Sequence, residues 1–258
     1  MPELPEVETI KNYLVPKYIG KTVLKIEVIN PKQVVGDCKK VIKQKIRNFD
    51  RHGKVMIVNL SNKTSIQIHL KMSGRISYWP TIHTRAIIHF TDADKLYFND
   101  PRKFGWLKID NKLHTSKGID CLDEKFTLPV FIKIIEHSRR NIKTLLLDQT
   151  LIAGIGNIYA NDALWLARIS PLRSAESLSE KEVENLFNSV KDVIANGIKH
   201  GGSSKTYVYR LPDGTRGNYQ DHFLVYSQEN KSCKNCGEKI KKITQGGRST
   251  WFCVKCQK

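Results

Sequence analysis

Apolar positions change period along the chain. Val7, Ile10 and Leu14 recur at i, i+3 and i+7, with Pro2 and Pro5 ahead of them and Pro16 behind. This spacing predicts a helix that begins at about Pro5 and is stopped by Pro16. From Thr22 to Asp110 the pattern shortens into β-prone runs, TVLKIEVI, KVMIVNL, TSIQIHLKM, RAIIHF and KLYFND, set apart by Gly, Asn, Asp and Pro. Such runs predict a two-sheet antiparallel sandwich or flattened barrel. The stretch NKLHTSKGIDCLDEKFTLP, from Asn111 to Pro129, has little regular period and reads as a linker. Beyond it VFIKIIEHS, IKTLLLD and YANDALWLARI are helical. SEKE at Ser179 is a capping box opening a helix whose Val183, Leu186, Phe187, Val190 and Ile194 share one apolar face.

The remaining segments are of different character. GGSSKTYVYRLPDGTRGNYQDH is polar, long and rich in Gly and Ser, the composition of a functional or disordered loop. The last residues read as a small β-hairpin module. The chain is therefore α+β: residues 1–112 form an N-terminal antiparallel β-sandwich with an N-terminal helix, 113–129 a linker, 130–222 a helical domain that includes the loop at about 201–222, and 223–258 the terminal module.

Charge narrows the partners. Lys plus Arg number 43 against 25 Asp plus Glu, a net +18. That excess favours polyanions: nucleic acid, an anionic membrane surface or heparin-like sugars. No apolar run approaches the ~20 residues that span a bilayer, and the start lacks a charged-then-apolar secretion pattern, so an intracellular protein is expected.

Cys233 and Cys236 form one C-x-x-C pair and Cys253 and Cys256 another, with sixteen residues between them. This spacing is that of a tetrahedral zinc site with no open position, hence one structural zinc ion. Cys38 and Cys121 stand alone and read as ordinary thiols. Between the pairs, KIKKITQGGRST forms a predicted hairpin carrying Lys239, Lys241, Lys242 and Arg248 on a tight glycine tip, suited to a phosphate backbone.

The opening MPELPEVETI holds a second chemical signal. Removal of Met1 exposes the secondary amine of Pro2, and an α-amino group titrates near ~7.7–8.0 against ~10.4 for lysine, so part of it is nucleophilic at neutral pH. Such an amine can attack a sugar's anomeric carbon. Glu3 then suits a general acid, and Glu6 suits a partner for the amine or for free backbone N–H groups. Glutamates also favour a helix amino terminus for electrostatic reasons, and these ten residues alone leave both readings open.

The motifs PELPEVET, HLKMSGR at 69–75, DPRKFG at 100–105, LLLDQTLIAGIGNIYANDALWLARISPLR at 145–173 and GGRSTWFCVKCQK at the end occur in order along the whole chain. Together they closely resemble the formamidopyrimidine-DNA glycosylase family. The resemblance implies a β-sandwich, a helix-two-turn-helix domain and a four-cysteine β-hairpin zinc finger. It implies a bifunctional DNA glycosylase and abasic-site lyase of base excision repair. Such an enzyme removes oxidised purines, 8-oxoguanine and formamidopyrimidines, from double-stranded DNA, and also acts at abasic sites. It further implies a monomer, cytoplasmic and associated with a bacterial-type nucleoid, without a membrane partner.

Carried over by residue, Pro2 is the Schiff-base nucleophile and Glu3 the acid that opens the deoxyribose ring; Glu6, from its place at the helix start, reads as catalytic support. Lys54 lies near the lesion and its phosphates. Asn157 and Arg248 grip the phosphates flanking the damaged nucleotide, and His69 lies by the phosphate track or is a structural strand histidine. Met72, Arg102 and Phe104 fill the gap left when a base is rotated out of the duplex. The 201–222 loop closes over the rotated base. Departures from the family pattern are Asp162, where Glu is usual, a slightly longer 217–224 region, and Tyr207 and Tyr209. Two alternatives stand beside this reading. One is an endonuclease VIII-type enzyme for oxidised pyrimidines, against which Leu4 weighs. The other is a non-catalytic zinc protein that binds damaged DNA.

Overall fold

A computed structural model describes residues 1–205 and 209–258; Tyr207 lies outside the described residues. The chain forms two compact units, one of residues 1–115 with 200–218 and the other of 116–199 with 219–258.

In the first unit, helix α1 spans Leu4–Tyr18 and does not stop at Pro16. Pro16 falls in the last turn, where its missing N–H removes a single intrahelical bond. Tyr18 is fully buried and its ring meets Phe90 at 4.8 Å between centroids, so packing carries the helix past the proline. Leu4, Val7, Ile10 and Leu14 are buried along the same face, each aliphatic side chain contributing about 1.5–3 kcal/mol.

Nine strands follow: β1 (Val23–Val28), β2 (Val34–Val35), β3 (Ile46–His52), β4 (Val55–Leu60), β5 (Ser65–His69), β6 (Arg75–Ser77), β7 (Thr84–Phe90), β8 (Lys95–Asn99) and β9 (Trp106–Asp110). They make a four-stranded sheet, order β1-β7-β8-β6, and a five-stranded sheet, order β2-β9-β5-β4-β3. Every pairing is antiparallel except the two-residue match of β2 with β9. Strand β7 alternates strictly, with Thr84, Ala86, Ile88 and Phe90 buried. Ile26 and Ile88 of one sheet and Ile66, Ile68 and Leu107 of the other join the face of α1 in one core, the expected sandwich.

The second unit carries β10 (Ile119–Asp120), α2 (Leu128–Ile135), α3 (Ile142–Leu146), β11 (Ile152–Ala153), α4 (Asn157–Leu166), α5 (Glu180–Lys199), β12 (Lys241–Gln245) and β13 (Arg248–Phe252). The stretch from Asn111 to Pro129, without period in the sequence, contains β10, which pairs in parallel with β11. The capping box of α5 forms: Ser179 N–H donates to Glu182 Oε2 at 2.8 Å and Glu182 N–H to Ser179 Oγ at 3.4 Å. Its five apolar positions are all buried. Among the described residues no helix is long and apolar enough to cross a membrane.

Candidate catalytic terminus and nucleic-acid interface

Pro2 and Glu3 are buried where the chain enters α1, and Glu3 is its N-cap. Glu6, only 1% exposed, holds this entry. Its Oε2 accepts the Glu3 N–H at 2.7 Å, and its Oε1 accepts the Ser203 N–H at 2.8 Å. One carboxylate thus ties the peptide beside Pro2 to the 200–218 segment of the same unit. Gly202 has φ +75°, and a Cβ there would lie 2.7 Å from Glu6 Cγ, so the approach requires glycine.

The β3–β4 turn presents Lys54, which is 7% exposed. Arg51 braces that turn: its Nε donates to Glu8 on α1 at 2.8 Å and its Nη1 to the Gly53 carbonyl at 2.9 Å. His69 pairs with Val55 across β4 and β5, which brings it near Lys54. Burial, then the charges of Lys71 and Lys54, push its imidazole pKa down to about 3. The ring is therefore neutral at physiological pH. Because Nδ1 accepts the Lys71 N–H at 2.9 Å, the proton sits on Nε2, which is a donor suited to a phosphate oxygen.

Met72 and Phe104 are 43% and 53% exposed, unusual for large apolar side chains, and the Arg102 guanidinium lies over the Phe104 ring at 4.8 Å. Their two loops are joined by Asp100, which is fully buried. It accepts from Ser73 Oγ at 2.5 Å, Gly105 N–H at 2.7 Å, Gln33 Nε2 at 3.0 Å and Arg102 N–H at 3.2 Å. Four hydrogen bonds converging on one buried carboxyl group hold both loops in place. Asp100, Gln33 and Ser73 were not among the sequence-derived site residues. The Asp-Pro step inside DPRKFG is the signal that points to the first, since it marks a turn that the aspartate can organise.

In the second unit, Asn157 is the first residue of α4 and Arg248 the first of β13. The Gly246–Gly247 turn, φ +55° and +71°, joins paired Gln245 and Arg248 in the tight tip the sequence predicted. Asn157 Nδ2 donates to the Ser249 carbonyl at 3.0 Å, so the structure brings it beside Arg248. Lys143, read from sequence only as part of a helix, is 1% exposed and donates to the same carbonyl at 3.1 Å and to Thr250 Oγ1 at 2.7 Å. Asn161 Oδ1 accepts the Trp251 N–H at 2.8 Å. The hairpin is thus bolted to α3 and α4, with exposed Arg248 at its tip.

The four sulfur atoms of Cys233, Cys236, Cys253 and Cys256 lie within 4.8 Å of one another, and none forms a disulfide. Sulfur ligands ~2.3 Å from one ion fit that spacing, so the residues suit one structural zinc. Trp165 Nε1 and Asn235 Nδ2 each donate to a cysteine sulfur at 3.3 Å, to Cys233 and Cys256 respectively. Such bonds stabilise thiolate ligands. Asp162, the departure in α4, is fully buried and accepts the Val225 and Tyr226 N–H groups, both at 3.0 Å, so it secures the strand of chain leading to the cysteines. Burial raises its pKa, while the same N–H groups oppose that shift.

Three family models match the chain. They describe a formamidopyrimidine-DNA glycosylase N-terminal domain over residues 1–107, a formamidopyrimidine-DNA glycosylase H2TH domain over 118–208, and a zinc finger found in FPG and IleRS over 231–258. The formamidopyrimidine-DNA glycosylase of Pelotomaculum thermopropionicum is 40% identical, covering 100% of this chain and 99% of its own. The crystal structure of the MutM (FPG) protein of Thermus thermophilus is similar with a TM-score of 0.93 and 37% identity, covering 99% of this chain and 98% of its own. The Lactococcus lactis Fpg in complex with abasic-site DNA has a TM-score of 0.90 and 31% identity over 100% of both chains.

Proposed function

This chain belongs to the formamidopyrimidine-DNA glycosylase family, and from that premise we propose that it is a bifunctional DNA glycosylase and abasic-site lyase. It acts in base excision repair on oxidised purines, 8-oxoguanine and formamidopyrimidines, in duplex DNA. The observation that carries this reading is the buried Pro2–Glu3 pair, with the Glu3 N–H held at 2.7 Å by Glu6 at the start of α1.

The chemistry follows from those groups. After Met1 is removed, the Pro2 nitrogen attacks C1′ of the damaged nucleotide and Glu3 gives its proton to the ring oxygen, so that the C1′–O4′ bond breaks and the sugar opens; the proton lost from the Pro2 nitrogen passes to the base, whose bond to C1′ then breaks as the iminium forms. The resulting iminium acidifies C2′, and loss of that proton expels the 3′ phosphate. A second elimination, with loss of the C4′ proton, expels the 5′ phosphate, and water hydrolyses the remaining iminium to free Pro2. Lys54, neutral His69 and Arg248 offer donors to phosphate oxygens. Asn157 opens a helix whose N-terminal N–H groups favour an anion. Met72, Phe104 and Arg102 occupy the space the base vacates, which offsets a few kcal/mol of lost stacking. The cysteine-bound zinc supplies a rigid cross-link for the finger and no reactive group.

A second substrate class has one supporting observation: the Lactococcus lactis Fpg, 30% identical, has been solved with DNA containing an oxidised pyrimidine. Excision of 8-oxoguanine opposite cytosine and of thymine glycol opposite adenine, compared in single turnover, separates the two. Faster release of the purine is expected; faster release of the pyrimidine would assign the chain to endonuclease VIII-type chemistry instead.

A further inference from the structure

Residues 209–217 are fastened to α1 and to the loop after β6 at several points. Tyr209 is 3% exposed, sits in the sandwich core, and donates its hydroxyl to the Gly201 carbonyl at 2.9 Å. Ser204 Oγ donates to the Tyr209 carbonyl at 3.1 Å and accepts the Gly217 N–H at 3.0 Å. Farther along, Leu211 N–H donates to the Thr215 carbonyl at 3.0 Å and Gly214 N–H to the Leu211 carbonyl at 2.8 Å, a closed turn with Pro212 buried. The Tyr78 N–H donates to the Pro212 carbonyl at 3.1 Å, and a Cβ on Gly214 would lie 3.0 Å from the Trp79 ring. Finally the hydroxyl of Tyr13, about two and a half turns into α1, donates to Asp213 Oδ2 at 2.7 Å.

We propose that this turn is a strut for the catalytic terminus, and that Tyr209, Asp213 and Tyr13 are positioning residues for base release. The inference rests on the functional reading above. Tyr209 fixes Gly201, the neighbouring Ser203 N–H holds one oxygen of Glu6, and the other oxygen holds the Glu3 N–H next to Pro2. The Tyr13–Asp213 bond pins the far end of the turn to the same helix. Loosening the strut frees one side of Glu6 and lets the Pro2–Glu3 peptide wander. Base release is the sensitive step, because the amine must meet C1′ while the base is still attached. A bare abasic site presents an aldehyde that is already electrophilic, and its attack tolerates misalignment.

The test uses full-length, zinc-loaded protein without Met1, as wild type, Tyr209→Phe, Asp213→Asn, Tyr13→Phe and the last two combined. Single-turnover rates are measured on a duplex with 8-oxoguanine and on one with a preformed abasic site, beside melting temperatures. Base release is expected to slow about tenfold in Tyr209→Phe while abasic-site cleavage changes by less than about threefold. Melting temperatures are expected to stay near wild type. Asp213→Asn and Tyr13→Phe are expected to shift the same ratio in the same direction, and the double variant to match the worse single one. Equal losses on both substrates, losses that track a fall in melting temperature, or wild-type rates throughout overturn the strut. Wild type that neither releases the base nor cleaves the abasic site would instead sink the functional reading, and the strut with it.

Discussion

Glu3→Gln, in protein freed of Met1, is expected to release 8-oxoguanine about 10²–10⁴-fold more slowly than wild type, the range that a positioned proton donor supplies. Glutamine has the same shape and leaves the backbone N–H of residue 3 bonded to Glu6 at 2.7 Å, so the placement of Pro2 is retained. What is lost is the proton for the sugar's ring oxygen, without which the ring stays closed and the base has no route out. Affinity for the same duplex is expected to change little, because glutamine keeps the shape of the side chain and leaves untouched the cations offered to phosphates. Single-turnover excision and equilibrium binding, measured on one oligonucleotide, separate the two effects. A rate within a few-fold of wild type would remove Glu3 from the chemistry.

Cys233→Ser is expected to abolish zinc binding and to weaken binding to an abasic-site duplex about 100-fold, with the sandwich still folded. Cys233 is 4% exposed and packs with Trp165, Val225, Ile240 and Cys253 in a small core of its own. Losing the ion removes the cross-link on which that core is built. Lys143 and Asn157 still reach the Ser249 carbonyl, but the strands that present Arg248 lose their base. None of the side chains of the sandwich core lies in the finger. Zinc content, binding by anisotropy and circular dichroism of the same sample form the check. Unchanged binding would take the finger out of DNA recognition, and collapse of the β signal would show that it is not a separable module.

How much of this was legible before the structure depends on whether the relevant contact is local. The capping box at Ser179, the apolar face of α5 and the alternation of β7 are written in short-range periods, and they form as read. The cysteine spacing foretold sulfur atoms close enough for one ion. Pro16 misled because a local rule was overridden by the packing of Tyr18 against Phe90, 72 positions away. Asp100 and Lys143 were missed for a related reason. A carboxylate gathering Gln33, Ser73 and Gly105, or an ammonium reaching Ser249 and Thr250, has no sequence period. Glu6 lay between these cases: its bond to the Glu3 N–H is a capping-box contact within reach of inspection, whereas its bond to Ser203 is 197 positions long.

Met72 and Phe104 show the opposite situation. As single residues in β-rich sequence they resemble core side chains, yet they stand 43% and 53% exposed on loops that a buried aspartate holds together. Large apolar groups held rigidly in water are what a gap-filling role requires, and no property of either residue alone distinguishes that role from core packing.

In the proposed reaction the Pro2 nitrogen forms a covalent bond to the sugar of a damaged nucleotide. Borohydride trapping on a duplex with one 8-oxoguanine opposite cytosine, and on one with a bare abasic site, tests it directly, using wild type, Pro2→Gly and protein that retains Met1. A stable adduct mapped by mass spectrometry to the Pro2 nitrogen, and absent when Met1 blocks that nitrogen, is the expected result. Tight binding with no adduct on either duplex, from protein shown to lack Met1, would contradict the covalent mechanism and leave a protein that binds damaged DNA without cutting it.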